Sequence, residues 1–230
     1  MPTEKEVYDK HADAYERLIQ REDYQGNILR EFEKRVSLVD LDVLDLGAGT
    51  GRLTRLLAPH VRSIRAFDNS AHMLEIAASS LRKMELQNWS VGVADHRQLP
   101  VDDNCADLIV SGWSFCYLAV WGGDAWESAL NDGLKEICRI LRPGGTVIFF
   151  ETMGTGHTSP QAPKHLAAYY AWLTEAGFRS SWLRTDYRFA SLDEAEELST
   201  FFFGEEMGKN VIKKDWKILP ECTGIWWQSY

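Results

Sequence analysis

From residue 42 onward, short apolar runs alternate with amphipathic stretches: 43–46, 63–67, 90–94, 107–110 and 146–150. Each run is too short for a helix and lacks strict alternation, as expected of a strand covered by helices on both faces. The stretches between them repeat apolar residues at helical spacing. Ser70 is placed to cap a helix carrying Met73, Leu74, Ala77 and Leu81, and Trp126, Leu130, Leu134, Ile137 and Leu141 mark another. Strands alternating with helices predict an α/β fold on a doubly wound, mainly parallel sheet.

The flanks follow other rhythms. Residues 7–21 and 28–36 read as helices, the second with Ile28, Leu29, Phe32 and Val36 on one face. Past Glu151 a Gly/Thr/Ser/Pro-rich loop at 152–163 precedes a predicted helix that ends at Ala176, before Gly177. A strand at 182–189, a helix at 192–203 and a last strand at 224–227 follow. At 230 residues and 45% hydrophobic, the chain has enough apolar surface for one sizeable core and is read as a single domain.

Charge narrows the partners. A net charge of −9 works against long-range attraction to phosphate backbones, so nucleic acid is a disfavoured substrate. The four cysteines, Cys105, Cys116, Cys138 and Cys222, show no CxxC spacing, which signals neither a zinc site nor a disulfide framework. No run of about 18 apolar residues is present and the N-terminus has no signal-peptide pattern, so the expectation is a cytoplasmic protein with no membrane span. No metal site is expected.

The candidate chemistry begins at Val43-Leu44-Asp45-Leu46-Gly47-Ala48-Gly49-Thr50-Gly51, a buried strand running into a glycine turn that opens a helix near Arg52. Gly47 and Gly49 permit close approach of backbone to a ligand, and a helix N-terminus favours an anionic group. The spacing is GxGxG, not the GxGxxG of nicotinamide-dependent oxidoreductases. Asp68 ends the next strand, 23 residues after Asp45, where a carboxylate can accept from both hydroxyls of a ribose. Val93-Ala94-Asp95-His96 closes the third strand, and Asp107-Leu108-Ile109-Val110-Ser111-Gly112-Trp113 forms the fourth and its exit. Trp113, Phe115 and Tyr117 alternate beyond it, and an aromatic face can attract a sulfonium. Leu141-Arg142-Pro143-Gly144-Gly145-Thr146 is a helix stop and turn with a structural role. In the first helix, Tyr8, His11 and Tyr15 share a face.

This order of motifs, from Tyr8 to Glu151, resembles the class I S-adenosylmethionine-dependent methyltransferases, and within them the small-molecule type that includes quinone-biosynthesis enzymes. The resemblance implies a seven-stranded, mainly parallel sheet with an antiparallel last strand, N-terminal helices and a small C-terminal helical lid insertion. It divides the chain into cofactor-covering helices at 1–40, a cofactor-binding core at 41–151 and a substrate-side part at 152–230, whose lid helix spans about 192–203. The implied cofactor is S-adenosylmethionine, leaving as S-adenosylhomocysteine. Its implied contacts are Gly47 and Gly49 at the methionine moiety, Asp68 at the ribose, and Asp95 and His96 at the adenine, with Asp45, Ala48 and Asn69 also in the cofactor-binding set. Met73 and Ser111 complete the core set, with Tyr8 and Tyr15 from the covering helix. His11, Trp113 and Tyr117 are the candidate substrate contacts.

The implied partner is a small-molecule acceptor, and the aromatic C-terminal part suits an apolar or aromatic one. The Asp/Asn-Pro-Pro-Tyr/Phe tetrapeptide of many enzymes that methylate nucleic-acid amino groups is absent after the fourth strand. Other readings are a tRNA or protein methyltransferase and a non-catalytic S-adenosylmethionine-binding protein. His11, His96, His157 and Tyr15 are candidate general bases, but no motif singles one out, so no catalytic residue is assigned. Oligomeric state is left open.

Overall fold

The computed structural model describes residues 11–230. Tyr8 and the start of the helix predicted over 7–21 lie outside the described residues; the described part is α1, Ala12–Ile19. There follow α2 (Asn27–Glu33), β1 (Asp42–Leu46), α3 (Arg52–Leu57), β2 (Ser63–Asp68), α4 (Ala71–Arg82), β3 (Trp89–Val93), β4 (Ala106–Gly112), α5 (Tyr117–Val120), α6 (Trp126–Ile140) and β5 (Leu141–Thr155). The C-terminal part adds α7 (Ala167–Glu175), β6 (Arg179–Arg184), β7 (Tyr187–Arg188), α8 (Leu192–Phe203), α9 (Glu205–Lys213), β8 (Ile218–Leu219) and β9 (Glu221–Ser229).

Seven strands form one sheet in the order β3-β2-β1-β4-β5-β9-β6, and β7 pairs with β8 in a separate ribbon. The first five strands run parallel, whereas β9 is antiparallel to both neighbours. Order reverses at β1, since β2 lies on one side of it and β4 on the other. In an open α/β sheet such a reversal leaves a crevice at the strands' carboxyl ends.

Helices bury both faces. One apolar cluster joins Leu46, Ile109, Phe115, Phe149 and Ile137; a second, on the opposite face, joins Ile28, Phe32, Leu57, Ile64 and Phe150. Full burial of such a side chain contributes roughly 1.5–3 kcal/mol, so the strands between the two clusters are held from both sides. A third cluster, Leu18, Tyr187, Phe189, Leu198 and Val211, packs α1 against α8 and α9.

Local signals explain most boundaries. The Ser70 hydroxyl accepts from the Met73 N–H and caps α4; Ser191 does the same for α8 through Glu194. The strand expected over 182–189 is interrupted, because Asp186 turns inward to accept from Arg184 and from the Glu221 N–H. Three short elements, α5, α9 and β8, are not expected from the sequence pattern.

Candidate functional site

A cavity of about 590 Å³ opens at the carboxyl ends of β1 to β4. Its floor is the turn between β1 and α3. Gly47, Gly49 and Gly51 have φ of +69°, +55° and +84°, values costly for any residue with a Cβ. At Gly47 the space is also closed, since a Cβ would lie 1.8 Å from Ser114 Oγ. The Gly47 and Ala48 N–H groups donate to the Phe67 carbonyl, at 2.7 and 3.0 Å, and so bind the turn to the end of β2.

Asp68 secures the turn from β2. One carboxylate oxygen accepts from the Gly49 N–H and the other from the Ser70 N–H, each at 2.8 Å. Burial raises its pKa, while the two backbone donors oppose the rise. Each oxygen can accept a further hydrogen bond, and Asp68 lines the cavity together with Asn69 and Met73.

Asp45 ends β1 and is 1% exposed. Its Oδ2 accepts from the Thr54 hydroxyl at 2.6 Å, and its Oδ1, buried, has no hydrogen-bond partner among the described residues. Burial pushes its carboxyl up to about 7.

Asp95 and His96 line the β3 end. Asp95 is held at about 2 by Arg97, which reaches both carboxylate oxygens at 2.7 and 2.9 Å. Any ligand donor at Asp95 therefore shares the carboxylate with Arg97. His96 stands 3.1 Å from the Ser114 hydroxyl, and burial lowers it to about 4, so the ring is neutral near pH 7. Tyr15 lines the opposite wall from α1 and packs on Phe202 of α8; burial raises its phenol to about 12, leaving it protonated.

Two expectations, at Ser111 and His11, need correction. Ser111 is fully buried and its hydroxyl donates to the Leu46 carbonyl at 2.7 Å, because the alternation of β4 turns it toward β1 and away from the cavity. His11 is exposed and meets the edge of Phe201 at 5.9 Å, outside the cavity lining. Trp113 does line the cavity, but one ring contact is the Arg52 guanidinium, 3.2 Å from its centroid, and another is Phe150, stacked at 6.1 Å. Phe115 belongs to the core, stacked on Phe149. Tyr117 lines the cavity beside Trp121, their rings 4.2 Å apart.

Sequence reasoning missed Arg52, Arg97, Ser114 and Trp121, all of which line the cavity. Arg52 directly follows the glycine turn and Arg97 lies two residues from Asp95, so both were near a recognised motif. Their roles depend on partners distant in sequence. Of the candidate bases, His157 lies beyond the cavity lining.

The comparisons with known proteins agree with this geometry. Residues 44–149 match the family model described as a methyltransferase domain. The malonyl-[acyl-carrier protein] O-methyltransferase of Buchnera aphidicola is 30% identical over 144 residues, covering 63% of this chain and 52% of that protein. The demethylmenaquinone methyltransferase of Tropheryma whipplei is 32% identical over 110 residues, 48% of this chain and 41% of the other. The chain thus spans about half the length of these relatives. A crystal structure of a SAM-dependent methyltransferase from Aquifex aeolicus superposes with a TM-score of 0.56 at 19% identity, covering 96% of this chain and 94% of that one. Residues 44–149 thus match the methyltransferase-domain family, and the sheet that carries them has the class I methyltransferase fold.

Proposed function

We propose that this chain binds S-adenosylmethionine in the cavity above β1 to β4 and transfers its methyl group to a small-molecule acceptor. One observation carries the reading: a left-handed glycine turn, locked by Asp68 through the Gly49 N–H, shares one cavity with Asp95 and His96. The methyltransferase-domain match over the same residues supports it. The relatives' names extend it to acyl or quinone-like acceptors, which an apolar wall of Tyr117, Leu118 and Trp121 would suit.

The bound cofactor would supply an already activated methyl group on sulfur. The protein then aligns the acceptor and excludes water, contributions that can reach roughly 7–11 kcal/mol without a dedicated base. Asp68 would accept from the ribose hydroxyls, and Asp45 would stabilise positive charge at the glycine turn. His96, neutral and tied to Ser114, shapes the wall at the adenine end. The helices α1, α8 and α9 form the cover; Arg17 of α1 and Arg21, just past its end, pair with Glu197 and Glu194 of α8.

Calorimetric titration with S-adenosylmethionine, S-adenosylhomocysteine and NAD tests this. Saturable binding of the two sulfur ligands and none of NAD is expected. Asp68→Ala should weaken both by about tenfold to a hundredfold, the scale of one lost charged hydrogen-bond acceptor worth roughly 1.5–3 kcal/mol. A folded protein that binds neither sulfur ligand would sink the proposal.

A further inference from the structure

The chain carries a net charge of −9, yet the segment that ends α9 and enters β8 is basic. Lys213, Lys214 and Lys217 lie there, and Asp215 is the single acid in residues 209–218. Arg188 of β7 joins them, because it lies directly opposite Ile218 in the β7–β8 ribbon. All four cations are exposed, and none forms an ion pair with a described residue. Lysines in the last turn of a helix offset its dipole, which accounts for Lys213. It does not account for Lys217 or Arg188, which lie outside α9.

Apolar side chains are exposed among these charges. Ile212 and Ile218 are each 42% exposed, whereas their chain neighbours Val211 and Leu219 are fully buried. The segment between them is closed on itself: the Trp216 N–H donates to the Val211 carbonyl, and the Phe189 N–H donates to the Lys217 carbonyl, both at 2.9 Å. The end of α9 and the ribbon therefore present one basic and apolar edge. At physiological salt charges are screened beyond about 8 Å, so the acidic remainder of the surface does not cancel this cluster at contact range. Three of the four cations are lysines, compact and strongly hydrated, which suit a diffuse layer of anionic headgroups. A shaped carboxylate or phosphate site would draw on the planar fork of arginine instead.

We propose that Lys213, Lys214, Lys217 and Arg188, with Ile212 and Ile218 between them, form a docking surface for an anionic lipid leaflet. The cations meet the headgroups, and the two isoleucines enter the boundary with the acyl chains, the division of labour of interfacial segments. On the opposite side of α9, Val211 packs with Leu18 of α1 and Leu198 of α8, so a docked leaflet lies against the helices of the cover. The surface is separate from the cavity, and its test is independent of the cofactor.

The test is co-sedimentation of the full chain with vesicles of phosphatidylcholine alone or with about 30% phosphatidylglycerol. The wild type should bind the anionic vesicles at least about tenfold more tightly, and less so as salt is raised. Lys213→Gln with Lys217→Gln should lose about 25-fold, at about fivefold for each cation at an anionic leaflet. Ile212→Ser with Ile218→Ser should lose about tenfold and keep the salt dependence. Lys34 and Lys135, 66% and 78% exposed at their side chains, provide the control: changing both to Gln removes the same charge elsewhere and should alter binding by less than about twofold. Equal binding to the two kinds of vesicle would overturn the proposal, as would equal losses in the control pair. Retention of soluble polyglutamate by a chain that ignores the anionic vesicles would also overturn it, assigning the patch to an acidic protein.

Discussion

Gly47→Ala should abolish cofactor binding and destabilise the fold. The new Cβ would lie 1.8 Å from Ser114 Oγ, 2.4 Å from Ser114 Cβ and 2.9 Å from His96 Cε1. Overpacking of this kind costs about 1–3 kcal/mol. The φ of +69° adds roughly 1–2 kcal/mol for a residue with a side chain. Relief requires the turn to move, which breaks the 2.7 Å bond from the Gly47 N–H to Phe67 and displaces the cavity floor. We expect a stability loss of roughly 3 kcal/mol, read by urea denaturation, and a fall in S-adenosylhomocysteine affinity of more than ~100-fold. Adding Ser114→Gly should recover part of the stability, because it removes the contact but not the backbone strain. An unchanged midpoint and affinity in Gly47→Ala would contradict the described turn.

The second large effect is expected at Glu151, on β5 below the cavity. Its Oε1 accepts from the Cys116 N–H and from the Tyr169 hydroxyl, both at 3.1 Å, in a site 1% exposed. Cys116 lies in the segment that carries Trp113, Ser114 and Tyr117 into the cavity wall, so one carboxylate anchors that wall to the sheet. Glu151→Ala leaves two buried donors without an acceptor, at about 1–3 kcal/mol each, and a total loss of roughly 3–5 kcal/mol is expected. Glu151→Gln keeps an acceptor oxygen and should cost much less.

Glu151 also titrates. Burial raises its folded pKa to about 7, above the unfolded 4.5. A folded value above the unfolded one means that the protonated form is favoured by folding. Its contribution is full below pH 4.5 and is lost as pH rises through 7, up to roughly 3 kcal/mol at ~1.4 per unit. Asp45, at about 7, and Glu221, raised to about 8 by burial, have the same sign. The wild-type melting temperature should therefore fall between about pH 5 and 8. Glu151→Gln should reduce that slope without removing it, since the other two carboxyls remain, and an unchanged slope would exclude ionisation of Glu151 in this range.

The sequence by itself determined what is local or periodic. The glycine turn after a buried strand, the Ser70 cap, the helix at 192–203 and the alternation of strands and helices are each written in neighbouring residues, because turn sterics, capping and amphipathic spacing act over a few positions. Only the tertiary structure decided which side chains reach the cavity. Ser111 and Trp113 are two residues apart, yet the first points into β1 from within the regular strand. The second, just past the strand end with a left-handed φ, turns to the cavity and receives Arg52. Arg52 and Asp45 lie on the two sides of the glycine turn, and Glu22, which pairs with Arg52, lies 30 residues earlier in the turn that follows α1. Glu151 meets Tyr169 and Cys116 only when β5, α7 and the end of β4 are packed together. Such pairings are fixed by burial, where an ionisable group must find a partner from any part of the chain or meet the full cost of desolvation.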